Sequence, residues 1–271
     1  VSPIAAEETQ EFEFKIKLTD TTISGTFDGV QFSNGEATIK VAGGDSKTIT
    51  GLPAGVGYTV TETVDSNFEA SRTSATGTIA EAGTTEAFTN TRKLGELEVN
   101  KTIVSSTPAD KDTDFSFTVV LSGATVKDGT YGEMTFTGNK ATFTLHNNQS
   151  VTATGLPTGI SYQVTEVLID GYQNTIHNND EGTIAAEKQV ASFTNTKDEG
   201  GLTVSKSVTS AVDADHSRTY KITVTLDDTS VNGTYGEMTF TNGVAELNLT
   251  DNEQKMASGL AQGIGYTVTE E

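Results

Sequence analysis

The chain has 271 residues, no cysteine and no tryptophan, with 34% hydrophobic residues, 27 glycines and a formal net charge of −20. So acidic a surface repels nucleic-acid phosphates and anionic lipid, which argues against both as partners. Zero cysteine excludes disulfides, zinc–thiolate sites and a thiol nucleophile, and no apolar run of membrane-spanning length or charged-then-apolar leader lies in this stretch.

In chain order, the first recognisable unit is "GTFDGVQFSNGEATIKVAGGDSKTITGLPAGVGYTVTE" (25–62). It returns as "GTYGEMTFTGNKATFTLHNNQSVTATGLPTGISYQVTE" (129–166) and as "GTYGEMTFTNGVAELNLTDNEQKMASGLAQGIGYTVTE" (233–270). The glutamates closing these stretches, Glu62, Glu166 and Glu270, fall at a step of 104 (166 − 62 and 270 − 166). "AFTNTR" and "SFTNTK" place Asn90 and Asn195 a step of 105 apart (195 − 90), and "LEVNKTIV" and "LTVSKSVT" do the same for Lys101 and Lys206 (206 − 101). A period near 105 is too long for a solenoid and right for tandem domains. The short charged joints "TRKLGEL" (91–97) and "TKDEGGL" (196–202) set the boundaries at 1–93, 94–199 and 200–271 and predict a stiff rod.

Within the middle unit the pattern predicts strands near 97–104, 114–121, 131–137, 140–145, 149–154, 160–167, 172–177, 182–185 and 188–195, punctuated by Gly, Asn and Asp. Short strands with a turn signal every ten or so residues predict an all-β fold of tandem β-sandwiches, and no helical period of useful length occurs. Aligning Phe115 with Phe12 puts the counterpart of Lys101 two positions before Val1, and the third unit stops just after Glu270. The first unit is therefore expected to lack its lysine strand and the third its asparagine strand.

Strand parity gives the three motifs their meaning. Successive strand residues face opposite sides. Tyr162, Val164 and Glu166 then share one face, as do Leu97, Val99, Lys101 and Ile103, and as do Phe193 and Asn195. Each motif thus points one polar group toward the core. An unpaired buried charge costs several kcal/mol or neutralises itself, so such groups are expected to meet. In an apolar core desolvation lowers a lysine pKa and raises that of a glutamate, so the pair can be neutral amine and neutral acid. A neutral amine is a nucleophile. A protonated carboxyl can polarise the asparagine carbonyl and relay a proton to departing ammonia, leaving a Lys–Asn isopeptide bond. Two alternatives stand beside this chemistry: solvated edge lysines with exposed glutamates and turn asparagines, or a buried Lys–Glu salt bridge with an asparagine nearby.

Other chemistry finds little support. His146, His177 and His216 lie in predicted loops with no second ligand at metal spacing, "HNNDEG" (177–182) lacks the ligand alternation of a calcium loop, and no triad order or phosphate loop occurs. No cofactor, no metal and no turnover catalysis are expected.

The stretches "LTVSK", "GLPxGxxYxVTE" and "FTNTK" resemble the collagen-adhesin B-type (Cna B-type) domains of Gram-positive surface proteins. The likeness is greatest to streptococcal pilin isopeptide-linkage repeats, which also carry "YGEMTF". The resemblance covers essentially the whole chain in three copies, with "GLAQG" replacing "GLPxG" in the third. It implies immunoglobulin-like β-sandwiches, a Lys101–Asn195 bond promoted by Glu166, and Glu62 with Asn90, and Lys206 with Glu270, in units whose remaining partner lies outside this chain. It further implies an extracellular, cell-wall or cell-surface location, and a stalk or shaft module whose partners are neighbouring domains or subunits of the same fibre. The other reading is a domain that binds host glycan or matrix protein. Nearly interchangeable repeats with 7% aromatic residues and no distinctive loop insertion favour the spacer role.

Overall fold

The computed structural model describes residues 2–271, and almost all of its regular structure is β-strand, in three successive sets of sheets each with its own buried apolar cluster. The middle set is a pair of four-stranded sheets. One is ordered Lys140–Leu145, Phe115–Ser122, Ser161–Glu166, Glu181–Thr183, and the other Ser150–Pro157, Leu94–Val104, Gln189–Lys197, Tyr172–Asn178. Buried and accessible positions alternate along Leu94–Val104 and Phe115–Ser122, as sheets with one face on a core require. The inward residues, among them Leu97, Val99, Phe115, Phe117, Val119, Tyr162 and Phe193, form one cluster.

One pairing sets this fold apart from a run of hairpins. Gln189–Lys197 lies parallel to Leu94–Val104, with Phe193 opposite Lys101 and Asn195 opposite Ile103. Parallel neighbours need a long connection, and here nearly the whole unit is the connection. Its two ends are thus brought side by side in the centre of one sheet.

The outer sets repeat the plan in part. In the first, Glu36–Ala42, Glu11–Leu18, Gly57–Glu62 and Ser74–Thr78 form one sheet, faced by the short pair Phe68–Ala70 and Asn90–Arg92. In the third, Val244–Leu249, Tyr220–Leu226 and Tyr266–Glu270 are faced by Glu199–Ser205 paired with Gln254–Ala261. Parity predicts Tyr266 and Val268 on the core face, yet they are 60% and 39% exposed, on an edge strand in a unit whose second sheet has two strands where the middle unit's has four.

Local chemistry accounts for most of the turns. "SNGE", "TGNK" and "TNGV" each make a two-residue hairpin loop with both central residues at positive φ (Asn34 and Gly35, Gly138 and Asn139, Asn242 and Gly243). That geometry matches the strand twist and selects Asn and Gly. Two features differ from the sequence-based expectation. The strand expected over 131–137 is a hairpin of Gly129–Tyr131 and Met134–Phe136, turning at Gly132, where a Cβ would lie 2.6 Å from Thr152 O. Backbone contact that close leaves room only for glycine. The joints are also tighter than loops: only Lys93 separates Asn90–Arg92 from Leu94–Val104, and only Asp198 separates Gln189–Lys197 from Glu199–Ser205.

The first joint is pinned by Arg92, whose side chain is 4% exposed. Its Nε donates to both carboxylate oxygens of Glu7 at 3.0 Å, while Nη1 reaches Asn67 O and Thr158 Oγ1 and Nη2 donates to Thr158 O at 2.6 Å. Ile4 bridges to Val126 and is buried in the middle cluster. At the second joint, Ser106 Oγ donates to Gly259 O and Tyr235 OH to Ser106 O. There Thr107 takes the place of Ile4, buried with its hydroxyl unpartnered among the described residues. Removing one member of a buried ion pair costs about 3 kcal/mol or more. Arg92→Ala is therefore expected to loosen the first joint, speeding tryptic cleavage after Lys93 in the folded chain at least tenfold. Cleavage at the wild-type rate would show that Arg92 does not hold the joint.

Candidate functional site

The middle unit brings its lysine, glutamate and asparagine into one dry compartment. Lys101 sits mid-strand in Leu94–Val104, between two neighbouring strands, and its side chain is fully buried. Glu166 ends Ser161–Glu166 in the opposite sheet, across from Phe117, with its side chain 1% exposed. Asn195 lies in the strand beside Lys101, one diagonal step along the parallel register and fully buried. By strand spacing and rise that diagonal is roughly 8 Å between Cα atoms, within the span of a lysine stem. Parity, read from the sequence, put all three inward, and all three are inward.

Aromatic rings close the compartment. Phe115 lies under the amine, with Nζ 4.1 Å from the ring centroid. Phe117 packs edge-on against Phe193 at 5.2 Å and stacks on Phe143 at 5.7 Å, and Phe115 meets Tyr172 edge-on at 5.2 Å. Water has little access to such a box, so each polar group depends on its protein neighbours.

Those neighbours leave demands unmet. Lys101 Nζ lies 2.8 Å from Glu166 Oε1, close enough for an ion pair, yet neither atom has the orientation of a hydrogen bond. Both Asn195 amide atoms are buried and unpartnered among the described residues. Leaving such a group unsatisfied costs about 1–3 kcal/mol, a cost stable structure rarely carries without function. Burial pushes the Lys101 amine below the usual lysine range, and the adjacent glutamate only partly offsets this. Burial thus shifts the amine toward its neutral form beside an uncommitted carboxamide, and a neutral amine and a carboxamide are the two reactants of an amide exchange.

The outer units hold the same chemistry in pairs. In the first, Glu62 is 3% exposed and Asn90 Nδ2 donates to its Oε1 at 2.5 Å, beside the edge-on pair of Phe14 and Phe88. In the third, Lys206 Nζ donates to both oxygens of Glu270 at 2.9 and 3.1 Å and lies 4.1 Å from the Tyr220 ring centroid. That pair is wetter, with side chains 15% and 43% exposed. An aromatic residue thus supports the lysine in both units that have one. The signal was legible: Phe115 and Tyr220 each open the strand after the lysine motif.

Sequence reasoning missed two polar contacts. Asn174 Nδ2 donates to Glu166 Oε2 at 3.3 Å, and Asn174 lies in no repeated motif. His216, placed in a loop by the sequence, ends a short helix, Asp213–His216, while His177 falls within the strand Tyr172–Asn178. His216 Nδ1 lies 2.6 Å from Asp251 Oδ2 and Nε2 3.2 Å from Ser210 O. Two acceptors favour the doubly protonated ring, so its pKa is raised, chiefly by Asp251. A raised folded pKa adds stability that is full below the unfolded value near 6.5 and is lost as pH rises through the folded value. The melting temperature of the chain is therefore expected to fall as pH rises above neutrality, and His216→Gln to flatten that slope. An unchanged slope in the variant would contradict the assignment.

A protein-family model described as Domain of unknown function (DUF7601) matches residues 1–92, 95–197 and 200–271. Among curated proteins, the pilus tip adhesin Cpa of Streptococcus pyogenes is 36% identical over 115 residues, which cover 38% of this chain and 17% of that protein. Among solved structures, the major pilin of Streptococcus pyogenes is 21% identical, covering 71% of this chain and 94% of its own, with a TM-score of 0.45. The pilus-presented adhesin Cpa is 20% identical, covering 57% and 39%, with a TM-score of 0.37. The chain is thus similar in sequence to part of a streptococcal pilus protein.

Proposed function

We propose, for a chain that belongs to the family described as Domain of unknown function (DUF7601), that it forms a load-bearing stretch of a Gram-positive surface fibre, either the shaft of a pilus or the stalk of a cell-wall-anchored adhesin. Its units, 1–93, 94–199 and 200–271, act as B-type β-sandwich spacers, and the middle one is stapled by an isopeptide bond between Lys101 and Asn195. The observation that carries this reading is the buried Lys101–Glu166 contact with Asn195 unpartnered on the adjacent strand. The similarity to the pilus tip adhesin supports the surface role.

The step needs no outside reagent. As the neutral Nζ of Lys101 attacks Cγ of Asn195, the Glu166 carboxyl turns to donate to Oδ1 and stabilises the developing oxyanion. The extra proton on the attacking nitrogen passes through Glu166 to Nδ2. The Cγ–Nδ2 bond breaks, ammonia leaves, and an amide joins the strands. Burial serves this step twice: it keeps the amine neutral, and it excludes water that would compete for Cγ. Asn90 with Glu62, and Lys206 with Glu270, form two-member versions of the same site.

The intact mass of the folded chain is expected to be one ammonia below the mass of its sequence, and Glu166→Gln to keep that ammonia while retaining the fold. A folded wild-type chain at full mass overturns the proposal. A Glu166→Gln chain that reacts as fast as wild type removes Glu166 from its role.

The bond should also dominate resistance to heat and force. It closes a loop of 94 residues (195 − 101), which by the chain-entropy relation used for disulfides contributes about 4–5 kcal/mol. That is comparable with the roughly 5–15 kcal/mol net stability of a whole domain. Lys101→Ala is expected to lower the melting temperature of the middle unit and to let it extend to full contour length under force. Equal melting and equal extension in the two proteins would contradict a stapled stalk.

A further inference from the structure

Asn174 belongs to none of the three recurring motifs, yet it is the fourth polar side chain at the site. It lies in Tyr172–Asn178, the outermost strand of its sheet, directly opposite Asn195. Residues opposite one another in an antiparallel pair share a face, so Asn174 stands on the reactive side at the sheet's accessible rim. The register slips immediately after it. Asn174 pairs with Asn195 and Ile176 with Thr194, which leaves Thr175 as an extra residue. Thr175 Oγ1 is held by Thr194 O at 3.2 Å and Thr196 Oγ1 at 3.1 Å. An extra residue of this kind ends regular pairing and re-aims the side chain beside it.

The re-aimed group is the Asn174 carboxamide, whose Nδ2 donates to Glu166 Oε2 at 3.3 Å. Glu166 is thereby divided: Oε2 faces Asn174 and Oε1 faces Lys101. Asn195 is left with neither amide atom engaged.

The first unit shows the site without this residue and without the lysine. There the position opposite Asn90 is Ala70. Glu62 Oε2 has no hydrogen-bond partner among the described residues, and Asn90 itself donates its Nδ2 to Oε1. That contact is the wrong one for amide exchange. It ties up the nitrogen that must leave, and it directs the carboxyl away from the carbonyl oxygen on which negative charge develops.

We infer that Asn174 is a positioning residue for the Lys101–Asn195 reaction: by occupying Glu166 Oε2 it keeps the glutamate from being captured by the Asn195 amide nitrogen and turns Oε1 toward the amine. This rests on the isopeptide reading above. Asn174 forms and breaks no bond. Nζ–Cγ still forms, Cγ–Nδ2 still breaks, and the proton still travels through Glu166 to ammonia.

The test follows ammonia loss by intact mass, timed from cell-free synthesis of the full chain. Asn174→Ala, which places the first unit's residue at this position, and Asn174→Asp, which keeps the shape without a donor, are expected to react roughly tenfold more slowly than wild type, the scale set by losing one side-chain hydrogen bond. Asn174→Gln, which retains the amide donor, is expected to recover most of the rate. Each substitution is also placed in a Lys101→Ala chain, where no bond forms, and there the melting temperature is expected to stay unchanged. Wild-type rates for Ala and Asp overturn the inference. So does a Gln variant as slow as Ala, or a melting temperature in the Lys101→Ala chain that falls in step with the rate, since each marks a purely structural effect. A wild-type chain that keeps its ammonia overturns the cross-link as well, so the two failures are told apart.

Discussion

A lysine amine held in a dry aromatic box is the constraint on which the rest of the middle unit depends. Lys101 contributes a long apolar stem to the packing, but its head has only Glu166 and the Phe115 ring for company. A buried charge of that kind is tolerated when it is paired or when it becomes neutral. The pairing is close but misaligned, and burial drives the amine toward the neutral form. The glutamate must therefore reach the core from the end of a strand in the opposite sheet, and the asparagine must come alongside in parallel register. The central parallel pair of an otherwise antiparallel architecture is what brings the lysine and asparagine strands together.

The three units divide the same chemistry among them. The first holds glutamate and asparagine, the third lysine and glutamate, and the middle one all three. Wherever only two are present, they satisfy one another with direct hydrogen bonds. Where all three meet, the amine and the carboxamide are both left without one. A structure selected for stability alone would have resolved that tension, because each unmet polar group costs about as much as a typical point mutation. An amide bond would remove it by consuming both groups.

Much of this was legible in the sequence because parity is strict wherever a sheet has one buried face. Lys101, Glu166 and Asn195 each lie two residues from apolar neighbours, so the strand pattern alone turned them inward. What was hidden depends on contacts between segments far apart in the chain. Thr175 breaks the alternation of its strand, so parity could not place Asn174. Arg92 looks like the basic end of a motif until Glu7 and Thr158 are seen around it. Tyr266 and Val268 obey the pattern but are exposed, since burial needs an opposing layer that a strand pattern cannot guarantee. The hairpin over 129–136 reads in the sequence as a single strand over 131–137 because its turn, at Gly132, carries no Asn-Gly or Pro signal.

The joints extend the same logic outward. Ile4 and Arg92 tie the first unit to the middle one, while the second joint relies on fewer polar contacts around Ser106. Force passing along the chain would enter and leave the middle unit through Leu94–Val104 and Gln189–Lys197, the two strands that carry Lys101 and Asn195. The most direct measurement is tandem mass spectrometry of a tryptic digest of the denatured full chain. The account predicts one branched peptide joining the Lys101 segment to the Asn195 segment, with no cleavage after Lys101. Linear peptides ending at Lys101, together with an unmodified Asn195 peptide, would contradict it.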